Sequence, residues 1–576
     1  MSLTGDFGPD ATFAYDGMNR MTNMVDGVGM TKYTYSAAGQ LLTEDGPIAN
    51  DTVTNAYSNR LRTALSLQQP TGVWTNGFAY DSTKRLTNVT SPAGVFGYVY
   101  DPTLFTHHPS LLTLPNTSYI TNAFDGNARL IATYLNKSDN STFDSYTYVY
   151  NPANQRTSVA RADSSTVAYT YDNIGQLTVA DGSVSTEDRG YKYDSAWNLN
   201  WRTNNGTASQ FSVNPLNELT GYSAFTNAYD ANGNMTNAYG LRTMSYDDEN
   251  RLVVVSDEVN HFYHTQFAYD GLGRLRERFE SSWSTVKTPH WVITNTISYV
   301  YDGWRVIQER DGSNNPLVSY TRGNDLSGSM EGARGIGGLL ARSSGYSSGD
   351  FTSHGYYFSD GNGNITYMLD SSQSCAGAYR YDAFGNTIST TSGTLASANV
   401  YRFSSKEIHT SSGMYYYGYR FYDPNLQRWI SRDPVGEGGF EIARGGFASQ
   451  LGDGPNLYSF VYNKPFDFVD SDGLAAVIAI GGASPILENP IGASLCAGAA
   501  LGAGLCCLFP NTMTKPGELV GHLIKKPITM KPCTYTCVIQ ENGGRTRTIQ
   551  RTVNVLPTQP CPAAISGPGV TCTLNK

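Results

Sequence analysis

Charge is scarce in this chain. Of 576 residues only 15% are Asp, Glu, Lys or Arg, too few for long solvent-exposed helices or coiled coils, whose outer faces are built from those residues. No G-x-x-x-x-G-K-[ST] loop and no H-E-x-x-H pair occurs, so P-loop phosphate chemistry and zinc-peptidase chemistry have no support. Cysteine is nearly absent from the first 474 residues, where only Cys375 is found. The opening "MSLTGDFGPD" lacks the charged-then-apolar pattern of a signal peptide and runs directly into repeats. Such a beginning is expected of a fragment of a longer secreted or surface protein.

What fills the chain is aromatic, β-branched and turn-forming. It holds 40 Tyr, 59 Gly and 25 Pro, and Tyr, Thr, Val and Phe favour strands while Gly and Asn punctuate them. An all-β fold follows. The net charge of −9 hides an asymmetry: residues 475–576 hold eight Lys or Arg against three Glu. The tail is therefore basic and the body acidic.

One segment recurs. "FAYDGMNRM" (13–21), "FAYDSTKRL" (78–86), "YTYDNIGQL" (169–177), "NAYDANGNM" (227–235), "FAYDGLGRL" (267–275) and "YRYDAFGNT" (379–387) share one plan, with further copies between them. An aromatic strand ends in Tyr-Asp, a turn with Gly or Asn follows, and Arg, Gln or Asn with an aliphatic residue starts the next strand. Alternation puts Tyr15, Tyr80, Tyr171 and Tyr269 on one face, and Asp16, Asp81, Asp172 and Asp270 are placed to accept backbone N–H groups in the turns. A single hairpin cannot bury its apolar face, but a series can. In "SDGNGNIT" (359–366), Asp360, Asn362 and Asn364 alternate like calcium ligands, yet no acidic residue closes the loop, so a hairpin turn is expected and no metal site.

These segments resemble YD repeats, and residues 1–474 resemble the Rhs/YD-repeat family, which includes bacterial Rhs proteins and C subunits of insecticidal toxin complexes. The resemblance implies a β-sheet spiralling into a cocoon-like shell, here a partial one, around a C-terminal polypeptide. The implied organisation is a repeat shell over 1–400, an Rhs-associated core over 401–474, an apolar Gly/Ala-rich segment over 475–510 and a small Cys-rich β tail over 511–576. Within the shell, the Gly-rich passage after Tyr301 holds Arg322 and Arg334, for which a structural and a chemical role both stand open.

The core carries the most specific motif. "YRFYDPNLQRWISRDPVGEGG" and "NLYSFVYNKPFDFVDSDGL" match the two halves of the Rhs-associated core, separated by an extra segment at 440–455. In relatives this core is an intramolecular aspartic protease that cuts after the terminal Gly-Leu. Carried over, Asp433 and Asp470 are the carboxylate pair, Arg432 is a neighbouring charge, and Leu474–Ala475 is the scissile bond. Two carboxylates suit this chemistry because one activates water while the other donates a proton. Asn456 and Asn463 are candidates to bond the strand presenting the cut site. Ser471 stands where the family has Pro, Asp472 is a rival carboxylate, and Asp423 of "YDPN" reads as a turn residue. An inert, shell-sealing core remains the other reading.

Composition changes after Leu474. Residues 491–509 are uncharged, long enough to span a bilayer or to serve as an apolar linker. Seven cysteines crowd the tail, and Cys533, Cys537, Cys561 and Cys572 are disulfide candidates of an oxidising compartment. Strand alternation on both sides of Asn542-Gly543-Gly544 predicts a hairpin. The tail has no Asp and a single His522, a poor set for a metal-dependent nuclease. The family implies a toxic tail. Its expected partners are that tail as cargo, a larger shell or secretion machinery, an immunity protein, and a membrane or carbohydrate target; nucleic acid and cofactors are not expected. The location implied is secreted or cell-surface. The alternative function is a non-cleaving surface adhesin that binds carbohydrate.

Overall fold

The computed structural model describes residues 11–103, 108–286, 288–434, 456–474 and 476–478, with four tail strands between 531 and 574. The turn of each repeat explains its sequence. In the first copy, Asp16 Oδ1 accepts the amides of Met18 (2.9 Å) and Arg20 (3.0 Å), and its Oδ2 accepts Arg20 Nε at 2.7 Å. The register shifts between Ala14 and Tyr15, a bulge that brings the chain round. Asn19 then takes the left-handed conformation (φ 59°), as Gly175, Gly233 and Gly273 do in their copies, which is why Asn and Gly recur there. Asp81, Asp172 and Asp270 accept amides in the same way.

The Tyr and Arg of the motif join neighbouring repeats. Tyr35 Oη donates to the Met21 carbonyl, Tyr100 to Leu86, Tyr150 to Leu130, Tyr269 to Leu252 and Tyr301 to Leu275, all at 2.7–2.8 Å. The residue before each of these carbonyls is an Arg whose guanidinium lies over the same Tyr ring: Arg20 over Tyr35, Arg85 over Tyr100, Arg129 over Tyr150, Arg251 over Tyr269, Arg274 over Tyr301. Each Tyr thus closes a latch on the repeat before it, adding a cation–π contact to a hydrogen bond.

Hairpins in series make a 21-stranded antiparallel sheet from Thr12–Tyr15 to Phe225–Thr226 and a 14-stranded one from Ala228–Tyr229 to Thr387–Thr391. The sheets meet across a packed core. Trp74 lies edge-on to Phe351 and Phe96 to Tyr356, within a buried cluster that holds Leu65, Leu67, Val300 and Ile307. Polar groups tie the borders: Arg62 forms a two-pronged pair with Asp302 (2.6 and 2.9 Å), and Arg310 donates to the carbonyls of Ala49, Asn50 and Gln68. The wall is therefore double over this part. Gly345–Gly349 fits the G-x-S-x-G spacing, but it joins strand Leu339–Ser347 to strand Asp350–Ser359, with no helix to present a nucleophile.

Residues 401–474 add a four-stranded sheet from Glu407–His409 to Arg428–Trp429. Its Tyr415, Tyr422, Trp429 and Phe460 join the cluster of Tyr191, Phe211, Phe267 and Tyr299. The core module is so packed into the body, and residues 1–490 form one compact unit. A second unit covers 491–576. In it Lys531–Glu541 and Arg545–Val555 pair antiparallel, the hairpin expected around Asn542-Gly543-Gly544, and Val570–Leu574 lies on the other side of Lys531–Glu541. Cys537 and Cys572 are register partners; Cys561 and the apolar run 491–509 lie outside the described residues. Among the described residues no helix is long and apolar enough to cross a membrane.

Candidate active site

The last described turn of the body is held from both sides. Phe468–Asp470 pairs antiparallel with Ala476–Ile478, Asp470 opposite Ala476, so the chain reverses between them. Asp470 Oδ1 makes that turn, accepting the amides of Gly473 (2.6 Å) and Asp472 (3.2 Å). Gly473 has φ 84° and would bring a Cβ to 3.1 Å from the Arg420 amide nitrogen, so the Gly of "DGL" is a backbone requirement. Tyr419 donates its amide to the Asp472 carbonyl at 3.0 Å.

Asp433 and Asp470 come together on a residue that the sequence reading did not assign. Arg420 Nη2 lies 2.7 Å from Asp433 Oδ2 and 3.7 Å from Asp470 Oδ2. Its Nε donates to the Gly473 carbonyl and its Nη1 to the Leu457 carbonyl. Asp433, Asp470 and Arg420 are all buried, and so is Leu474. One guanidinium therefore joins both carboxylates to the peptide one residue before the Leu474–Ala475 bond, while Ala475 is outside the described residues. Arg420 is the Arg of "YRFYDP", the second residue of the core motif, and that position was the available signal.

The remaining sequence candidates fall elsewhere. Arg432 is partly exposed, with Nη2 3.4 Å from Glu218 Oε1 and Nε 3.3 Å from Tyr458 Oη. Asp472 pairs with Arg334 at 3.2 Å. Ser471 gives its carbonyl to Lys406 Nζ at 2.6 Å. Asn456 and Asn463 do not bond the cut-site strand through their amides. Asn456 donates to Asn198 Oδ1 and Asn463 to the Trp197 carbonyl, fastening the core to the repeat turn at 194–198. Asp423 is a turn residue that caps the amides of Asn425 and Leu426, and it also pairs with Arg242 at 2.6 Å. Asp360 likewise caps a turn through the amides of Asn362 and Asn364. The segment 440–455 lies outside the described residues.

Comparison with known proteins agrees with the repeat geometry. Residues 143–282 match the family model of the teneurin YD-shell. The body has the fold of a YD shell. Over 81% of its length, the chain superposes on 28% of the crystallised TcdB2–TccC3 chain with a TM-score of 0.52 at 18% identity, a likeness of fold. It is 27% identical over 334 residues to the tRNA3(Ser)-specific nuclease WapA of Bacillus spizizenii, covering 56% of this chain and 12% of that protein. It is 40% identical over 74 residues to the toxin subunit YenC2 of Yersinia entomophaga, covering 13% of this chain and 6% of that one. The chain thus matches a small part of these relatives' length. The Rhs/YD-repeat resemblance read from the sequence holds.

Proposed function

We propose that this YD shell carries its C-terminal segment as cargo and cuts it free after Leu474, as part of a secreted, toxin-like protein of which larger partners complete the wall. The observation that carries this reading is the burial of Asp433 and Asp470 on one guanidinium that also holds the Gly473 carbonyl. Burial makes two full negative charges costly, and Arg420 offsets one of them. The second carboxyl keeps its proton. The ionised carboxylate takes a proton from water as its oxygen attacks the Leu474 carbonyl carbon; the protonated one gives its proton to the Ala475 nitrogen as the C–N bond breaks. The products are a Leu474 carboxylate and an Ala475 amine. Because the substrate is the chain itself, the reacting groups meet at high effective concentration without a substrate pocket.

Intact-mass measurement on freshly purified protein tests it. Wild type should appear as residues 1–474 and 475–576. Asp433→Asn should give one uncut chain, because an amide neither activates water nor supplies the proton, whereas Asp472→Asn should still be cut. An uncut wild type, or cleavage after Leu474 in Asp433→Asn, defeats the reading.

A further inference from the structure

Beside the turn of Asp470–Leu474 lies a polar cavity that the proposed cleavage does not use. Its walls include Arg305, Arg322, Arg334, Lys406 and Glu407, and its rim includes Trp304. Three of the charged walls are already matched. Arg305 pairs with Asp302, Arg334 with Asp472, and Glu407 takes Arg278 and the Tyr299 hydroxyl.

Two cations are not matched. Arg322 is 6% exposed; its Nε donates to the Val306 carbonyl at 2.9 Å, and its guanidinium lies over the rings of Tyr320 and Tyr401. Among the described residues no carboxylate pairs with it. Lys406 Nζ gives one hydrogen bond, to the Ser471 carbonyl, and lies 5.4 Å from the Tyr417 ring centre. No carboxylate pairs with Lys406 among the described residues either. Arg322 is buried and Lys406 partly buried; a desolvated cation with no carboxylate in direct contact is unfavourable, and two facing one cavity repel each other. Burial accordingly draws the Lys406 amine down to about 8, against the opposing pull of Asp472 and Asp470.

We infer that Arg322 and Lys406 form a binding site for a small oxyanion of phosphate size. An oxyanion there would accept the two Arg322 Nη groups and the free Lys406 N–H donors at once, the charge-assisted geometry in which Arg recognises oxyanions. The partly exposed rim at Trp304 and Arg334 gives it a way in. The same anion would sit next to Ser471 and Asp472, so its occupancy bears on the turn before Leu474. The site stands apart from the cleavage reading, since it needs neither Asp433 nor Asp470.

Isothermal titration of the full-length protein with inorganic phosphate, against chloride at equal ionic strength, tests this. One saturable site is expected, weakened about 10-fold or more in Lys406→Met and in Arg322→Met, and a melting temperature that rises with phosphate but not with matched chloride. If Arg322→Met does not fold, Lys406→Met and the wild-type melting comparison decide alone. Absence of saturable binding in wild type, or unchanged affinity in Lys406→Met, overturns the site.

Discussion

A buried guanidinium that spans two carboxylates and two carbonyls is hard to replace. Arg420→Gln would leave Asp433 and Asp470 buried without their shared cation, so cleavage should be lost and stability should fall by about 3–5 kcal/mol, the cost of breaking a buried pair; mass analysis and urea unfolding read the two effects. Arg420→Lys should keep the charge but lose the fork, giving slow cleavage. A second residue sets pH behaviour. His409 is fully buried between Ser412 Oγ and Thr265 Oγ1, and burial, with Arg278 and Arg242 nearby, pushes it down to about 3. The unfolded chain therefore binds this proton more readily than the folded one between about 3 and the ordinary value of 6.5. The stability that neutral His409 contributes is present above 6.5 and is lost as pH falls through that window. Urea midpoints should drop between pH 6.5 and 4, and drop less in His409→Gln. Asp433 and Asp470 were legible because they sit in a dense motif. Arg420 was not assigned because the motif holds several arginines and only the fold shows which one reaches the pair, Arg432 having gone to Glu218 and Tyr458.

At the scale of the element, the repeated turn was legible almost residue by residue, since its Asp, its left-handed Gly or Asn and its returning Arg are all local. What was not legible is how differently the copies are loaded. Asp81 sits at a partly exposed turn with Arg85, whereas Asp270 is buried with Arg274 and close to Arg276, and Arg274 also reaches Glu44 in the other sheet. Asp270→Ala should destabilise by about 3–5 kcal/mol, and Asp81→Ala by about 1 kcal/mol, the scale of exposed pairs. Chemical denaturation of the two variants side by side measures the contrast. Hairpins identical on paper differ because their neighbours across the core lie more than 200 residues away, beyond any local pattern.

For the whole molecule, the class and the succession of hairpins followed from composition and periodicity, but the doubled wall did not, because strand alternation says which face is apolar and not what covers it. The packing predicts that residues 1–474 are self-sufficient: the chain ending at Leu474 should show the strand-rich circular dichroism of Asp433→Asn and melt within a few degrees of it. In the tail, the register places Cys537 opposite Cys572, at the Cα separation that antiparallel partners and disulfides share. Non-reducing peptide mapping of protein folded in an oxidising compartment should recover that pair linked, and recovery of both as free thiols would exclude it.

The Tyr latch has a direction. At Arg20, Arg85, Arg129, Arg251 and Arg274 a repeat lends its Arg and the carbonyl after it to a later Tyr, and elsewhere the carbonyl serves without a preceding Arg, as Leu41 does for Tyr57 and Met235 for Tyr246, so the sheet is written like a sentence in which a word agrees with the one before it. Along the sheet, removing or duplicating a whole repeat leaves the grammar intact, because the flanking Tyr meets an equivalent carbonyl. Removing half a repeat strands a tyrosine hydroxyl and reverses the direction of every later strand. Such a gene can therefore lengthen or shorten its wall by recombination between copies, in steps of one hairpin, and keep every latch along the sheet, while ties across the core such as Arg274 to Glu44 have to be made anew.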